Sequence, residues 1–194
     1  MENHRIQIKN VEVLSNDWYI LKKTTFEYLR NDGSWQTQSR ETYDRGNGAV
    51  ILLYNSERKT VILTRQFRFP TFVNGLADGM LIEACAGLLE ENSAEDAIKK
   101  ESEEETGYHV DNVRKIFEAY MSPGSVTEKL HFFVAEYSPE KKLSTGGGDI
   151  SDGEDIEVLE ITLHKALQMI ETGEIIDGKT IMLLQYAKLH GLTD

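Results

Sequence analysis

Apolar and polar positions alternate from the start of the chain. Arg5–Val13 follows a two-residue period, and Trp18–Arg30 is dense in β-branched and aromatic residues. The turn Asn31-Asp32-Gly33-Ser34 then leads into Trp35–Tyr43. This pattern predicts three antiparallel strands. A meander of this size buries little by itself, so it is expected to pack on something else, a partner subunit being one candidate. At Asp44-Arg45-Gly46-Asn47-Gly48 the pattern changes, and short, strongly apolar strands follow: Ala49–Tyr54, Val61–Phe67 and Met80–Ala86. Helical spacing runs from Ser93 to Thr106, and further strands are predicted at Val113–Tyr120, Leu130–Tyr137 and Ile156–Ile161. Leu163, Ala166, Leu167 and Ile170 mark one closing helix. Ile181, Leu184 and Ala187 mark another, with Gly191 as its stop. Strands interleaved with helices predict an α/β layered domain over 46–194, preceded by a small antiparallel β-sheet domain over 1–45. Ser144–Asp155, with Gly146-Gly147-Gly148, lacks apolar periodicity and is expected to be a mobile loop.

The predicted helix beginning at Ser93 breaks the rule that charge faces water. Ser93 with Asp96 resembles a capping box, and Gly107 is a natural terminator. On a wheel of about 100° per residue, Ala94, Ala97 and Ile98 define the apolar face, and Glu101, Glu104 and Glu105 fall on that same face. Three carboxylates placed where the core should be repel one another, and burying them is costly without a cation among them. A divalent metal with hard oxygen ligands answers that need; an acidic helix with an imperfect apolar face is the plainer alternative.

Charge sharpens the choice. The chain of 194 residues has a formal net charge of −12, from 33 acidic and 21 basic residues. Nucleic acid and anionic membranes are therefore poor partners for the molecule as a whole. An acidic protein that binds an anionic ligand needs metal ions and a few placed Arg or Lys side chains. Cys85 is the one cysteine, so no intrachain disulfide forms, and its apolar setting reads as a small core residue. The opening MENHRIQIKN has no signal-peptide core and no segment approaches a membrane span, so a cytoplasmic location is expected. His4, His109, His131, His164 and His190 are scattered and suit no nucleophilic arrangement.

Gly87-Leu-Leu-Glu-Glu followed by Lys100-Glu101-Ser102-Glu103-Glu104-Glu105-Thr106-Gly107-Tyr108 resembles the Nudix box. Its Glu-Glu-Thr-Gly-Tyr end matches fully. Lys100 replaces the box arginine, and Ser102 replaces a hydrophobic residue. The span to Glu101 is one residue short, with Ser93 where the first Glu belongs and Glu90 or Glu91 as its substitute. The likeness extends along nearly the whole chain to the branch of Nudix hydrolases acting on GDP-mannose, close to those acting on ADP-ribose. RETYDRGNGAVILLYN, RQFR, EACAGLLE, YMSPGSVTEKLHFFVAEY, EDIEVLE and TGEIIDGKT carry it, as does Pro123 beyond the box.

The resemblance implies a Nudix α/β/α sandwich with a mixed sheet, and a homodimer that exchanges its N-terminal β-sheet domain. It implies Mg²⁺, with Mn²⁺ as a substitute, held by Glu101, Glu105, the Ala86 carbonyl and Glu154, with Glu104 completing or supporting the cluster. Glu154, in the Gly-rich loop, would help activate water; a loop base can leave for substrate entry and return. Substrate contacts are implied at Ala86, Gly87, Leu88, Glu105 and Glu154. Arg40 and Arg68 are assigned to the diphosphate, since a guanidinium forks onto phosphate oxygens. Trp18 is a candidate for stacking on the base, and Glu41, Glu128 and Lys179 for polar contacts. Each has an ordinary reading beside it: a loop carboxylate for Glu154, a surface ion pair for Arg68, a strand-face aromatic for Trp18, surface charge for Lys179. The implied reaction is Mg-dependent hydrolysis of a nucleotide sugar, GDP-mannose giving GMP and mannose 1-phosphate. The same chemistry on ADP-ribose, or a non-catalytic nucleotide-binding module, are the alternatives.

Overall fold

The computed structural model describes residues 4–89 and 91–193, and its contacts group the chain into two units. Residues 1–47 and 120–129 form the first, and 48–119 with 130–194 form the second. The segment 120–129, which the sequence pattern left with the second domain, joins the first unit through backbone bonds. Tyr43 N–H donates to Ser125 O (2.8 Å) and Thr127 N–H to Tyr43 O (3.1 Å).

The first unit is a three-stranded antiparallel sheet in the order β1 (Ile6–Asn16), β2 (Ile20–Leu29), β3 (Trp35–Asp44). Two register shifts, at Ile8/Asn10 and Val13/Ser15, bulge β1 against β2. Alternation formed the strands but did not bury them: all of β1 is exposed, with Ile8, Val11 and Val13 among its apolar side chains.

The second unit is built on a seven-stranded mixed sheet. Its path is β10 (Glu157–Thr162), β5 (Thr60–Phe67), β4 (Gly48–Asn55), β9 (Lys129–Glu136), β8 (Arg114–Tyr120). β4 and β9 run parallel. β4 is buried from Gly48 to Leu53, so it reads as an unbroken apolar run. Ala49, Ile51 and Leu53 share one core cluster with Ile98 of α2 (Ala94–Glu101). Alternation leaves Val50 and Leu52 for the other face, where α4 (Gly178–Leu189) packs on β4 beside α3 (Leu163–Thr172). Helices on both faces make this an α/β/α sandwich. Among the described residues no helix is long and apolar enough to cross a membrane.

Three local features depart from the sequence pattern. The run Met80–Ala86 is two strands: β6 (Met80–Glu83) pairs with β5, and β7 (Ala86–Leu88) pairs with β4. The chain changes partner at Ala84-Cys85, and an apolar run does not reveal such a switch. A short helix α1 (Phe69–Val73), with no buried residue, was not marked by any periodicity. The helix of Ser93 is α-helical only to Glu101; Ser102–Thr106 form a π-turn that ends at Gly107 in the left-handed region, φ 78°.

Candidate active site

Ser93 caps α2 by accepting from Asp96 N–H (3.1 Å), while the Asp96 carboxylate receives the Ser93 hydroxyl (2.7 Å). Fixed there, the helix delivers Glu101 and then the π-turn. A π-turn advances less than 100° per residue, so the wheel that placed three glutamates inward holds only up to Glu101. Glu105 is turned fully inward, 2% exposed. Glu104 is turned out: its side chain is 45% exposed and pairs with Lys100 at 3.3 Å. Ser102, at a position where an apolar side chain was expected, is buried and donates its hydroxyl to Tyr108 O (2.9 Å). Of the two substitutes for the first box glutamate, Glu91 is exposed before α2 and Glu90 lies outside the described residues.

Glu105 lies beneath β7, where Ala86 N–H donates to it (3.3 Å). Burial raises its carboxyl pKa, and the charges of Glu101 and Glu154 raise it further. Cys85 and Arg68 oppose the shift, and the carboxyl is still pushed up to about 8. Cys85 is itself buried, and burial pushes its thiol well above the usual range, which makes it a core residue and no nucleophile. A Cβ at Gly87 would overlap the Glu101 side chain, so the glycine lets that carboxylate lie against β7. Glu101, Glu105, the Ala86 backbone and, by its charge, Glu154 thus share one neighbourhood of hard oxygen atoms.

The Gly-rich loop is tied to the same helix end. Gly147 N–H donates to Glu105 O (2.9 Å) and Gly148 N–H to Glu104 O (3.1 Å), so the loop takes up carbonyls at the end of the π-turn. Gly146 approaches so closely that a Cβ would overlap the Glu105 carbonyl. A 3₁₀ turn, Ile150–Asp152, follows where the sequence promised only a mobile loop. Glu154 folds back on that turn and accepts from Asp149 N–H (2.9 Å). With Glu104 outward and Glu154 folded back, no three such side chains converge into a ready-made metal cluster among the described residues.

Arg68 follows β5 and donates through Nε to Glu83 Oε2 at 2.7 Å. This is an ion pair, as the plainer reading had it, but with a carboxylate only 4% exposed. Burial alone would lower the guanidinium pKa; Glu83, with Glu105 and Glu154, more than offsets it and the net shift is upward. Lys179, in the first turn of α4, is 14% exposed, which removes the reading of surface charge. It donates to the other oxygen of Glu83 and to Asp177 Oδ1 (3.0 Å). Glu83 and Asp177 escaped the sequence analysis. The available signal was a charged residue at an inward position of the otherwise apolar β6, in phase with buried Leu81.

The remaining candidates belong to the first unit. Trp18 is 83% exposed and edge-on to Tyr19 at 6.2 Å. Arg45 lies over the Tyr19 ring (5.6 Å) and pairs with Glu128 (3.6 Å). Arg40 and Glu41 are exposed neighbours on β3, and Arg40 Nη1 donates to the adjacent Ser39 O (2.8 Å). An open hollow of the second unit, bounded by Arg58, His109, Glu136 and Lys141 among others, contains none of these candidates and mixes both signs of charge.

Comparison with known proteins converges on one family. A family model described as the GDP-mannose pyrophosphatase NudK N-terminal domain matches residues 5–43, and the NUDIX domain model matches residues 44–184. The chain is 55% identical over 187 residues to a GDP-mannose pyrophosphatase of Yersinia pestis, covering 95% of this chain and 93% of that one. It is 54% identical to a GDP-mannose pyrophosphatase of Klebsiella pneumoniae, covering 96% and 93%. The fold is similar to the crystal structure of an ADP compounds hydrolase, with a TM-score of 0.73 over 98% of both chains at 17% identity. With the NUDIX model spanning most of its length and relatives more than half identical to it, the chain belongs to the Nudix family.

Proposed function

We propose that this protein hydrolyses the diphosphate bond of a nucleotide sugar, with GDP-mannose giving GMP and mannose 1-phosphate. The observation that carries the proposal is a buried carboxylate, Glu105, in the NUDIX region of a chain 55% identical to GDP-mannose pyrophosphatases. The chemistry of the site fits a divalent cation. Glu105 is buried close to the charges of Glu101 and Glu154, and burial first, then those charges, raise its pKa. A cation bound among them would relieve the cost of ionising it. Mg²⁺, or Mn²⁺ in its place, would be held by Glu101, Glu105, Glu154 and the Ala86 carbonyl, with Glu104 supporting from the rim. When bound, such an ion screens diphosphate oxygens and acidifies a water molecule.

The chain's own groups supply the rest. Arg68 and Lys179 hold the diphosphate and offset charge that develops on its oxygens. Ala86, Gly87 and Leu88 present backbone beside it, and Gly87 leaves room for the Glu101 side chain. Glu154 leaves its bond to Asp149 N–H to accept the proton of the attacking water. The first unit serves substrate recognition, with Trp18 for the base, Arg40 for a phosphate of the diphosphate, and Glu41 and Glu128 for polar groups. A homodimer that exchanges this unit is part of the proposal, supported by the exposed apolar side chains of β1; a monomeric mass in dilute solution overturns it.

The deciding experiment supplies GDP-mannose and ADP-ribose side by side with Mg²⁺ and identifies the products. GMP and mannose 1-phosphate, formed with the higher kcat/KM, are expected. Preference for ADP-ribose overturns the substrate, and no turnover of either overturns the enzyme.

A further inference from the structure

We infer that Glu83 is the positioning residue for the diphosphate-binding cations: one buried carboxylate that aims Arg68 and fixes Lys179 beside it. The inference rests on the assignment of those two cations to the diphosphate.

The three side chains come from three elements. Arg68 stands between β5 and α1, Glu83 ends β6, and Lys179 opens α4. The Glu83 carboxylate divides its oxygens between them, Oε2 accepting from Arg68 Nε (2.7 Å) and Oε1 from Lys179 Nζ. The surroundings are held by the backbone. Asp177 caps α4 by accepting from Thr180 N–H (2.9 Å) and also receives Lys179. Thr180 Oγ1 accepts from Ala84 N–H (2.7 Å), next to Glu83 itself. Arg68 N–H donates to Gly79 O (2.8 Å), so its stem is fixed too.

This arrangement does two things. The bond through Nε leaves the terminal Nη pair of Arg68 without a hydrogen bond to any described residue, and that pair is the fork that matches two phosphate oxygens. It also separates two sets of charges. Arg68 feels Glu105 and Glu154 as well as Glu83. A guanidinium with no carboxylate of its own would be drawn onto those two and turned from the diphosphate. With Asp177 included, two carboxylates balance two cations, so the group around the buried Glu83 is neutral while the outer end of Arg68, 40% exposed, stays open.

The test is a kinetic double-mutant cycle of Glu83→Gln with Arg68→Ala, using GDP-mannose, with Tm recorded for each variant. Glu83→Gln is expected to lower kcat/KM at least about tenfold in the wild-type background, as misplacement of a substrate-binding group does. In the Arg68→Ala background the loss is expected to shrink to about threefold or less. A role confined to stability lowers Tm and gives the same loss in both backgrounds, which overturns the inference, as does a loss below threefold in the wild type. If Glu83→Gln does not fold, Arg68→Lys decides. One ammonium cannot both bond Glu83 and offer a fork, so its kcat/KM is expected near that of Arg68→Ala; retention of half the wild-type value overturns the inference. Wild-type turnover in the same assay tests the assigned function separately. An active wild type without coupling removes only the role of Glu83, and an inactive wild type removes both.

Discussion

Glu105→Gln is expected to abolish most of the activity and, in the same molecule, to stabilise the metal-free protein at pH 8. The first effect follows from the loss of a buried anion at the site where the phosphate chemistry is assigned. A fall in kcat/KM of about a thousandfold is the expected scale for removing such a group. The second follows from burial. The folded state raises the Glu105 carboxyl from 4.5 to about 8, so it holds its proton more tightly than the unfolded chain does. Stability is therefore fully present below the unfolded value and is lost as pH rises towards and through 8. At about 1.4 kcal/mol per unit, the ionised form costs the metal-free fold roughly 3 kcal/mol more at pH 8 than at pH 5. Glutamine has no such dependence and can still accept from Ala86 N–H. Denaturant unfolding in EDTA at the two pH values measures the difference. A variant less stable than wild type at pH 8 contradicts this account, and added Mg²⁺ is expected to reverse the order by stabilising only the wild type.

Gly87→Ala separates activity from folding in the opposite sense. The three atoms nearest a Cβ at this position all belong to the Glu101 side chain, and the site does not require a left-handed conformation. Glu101 can swing aside, so stability is expected to stay within about 1 kcal/mol of wild type. The carboxylate that swings is an assigned metal ligand, and activity is expected to fall about 10–100-fold, the range for disturbing a ligand's support. The half-saturating Mg²⁺ concentration should rise with it. An unchanged Mg²⁺ dependence would separate Glu101 from the metal.

Most strands were legible because their patterns obey a period of two or an unbroken apolar run, from Arg5–Val13 to Ile156–Ile161. The box helix was legible to Glu101 for the same kind of reason. Its end was not, because a wheel assumes one angle per residue, and the π-turn at Ser102–Thr106 changes that angle. Glu104 therefore turned out and Ser102 in. α1 is too short for periodicity and buries nothing. The glutamates of the candidate site stood out by their spacing, whereas Glu83 shares no spacing with Arg68 or Lys179. Its partners lie 15 and 96 positions away, and only the fold joins them.

The bonds from Gly147 and Gly148 to the box helix shorten the part of the loop that is free to swing. Ile156 N–H is fixed as well, donating to Gly147 O (3.2 Å). What lies between these points is an arc, Asp149–Asp155, pinned at both ends. No residue in such an arc can lie farther than half its contour from the nearer anchor, roughly 10–14 Å at about 3.3–3.6 Å per residue. Glu154 sits near one end, so its reach is shorter still. Any trip of this carboxylate between Asp149 N–H and the reacting water is a local pivot next to the helix, not the sweep of a long flap.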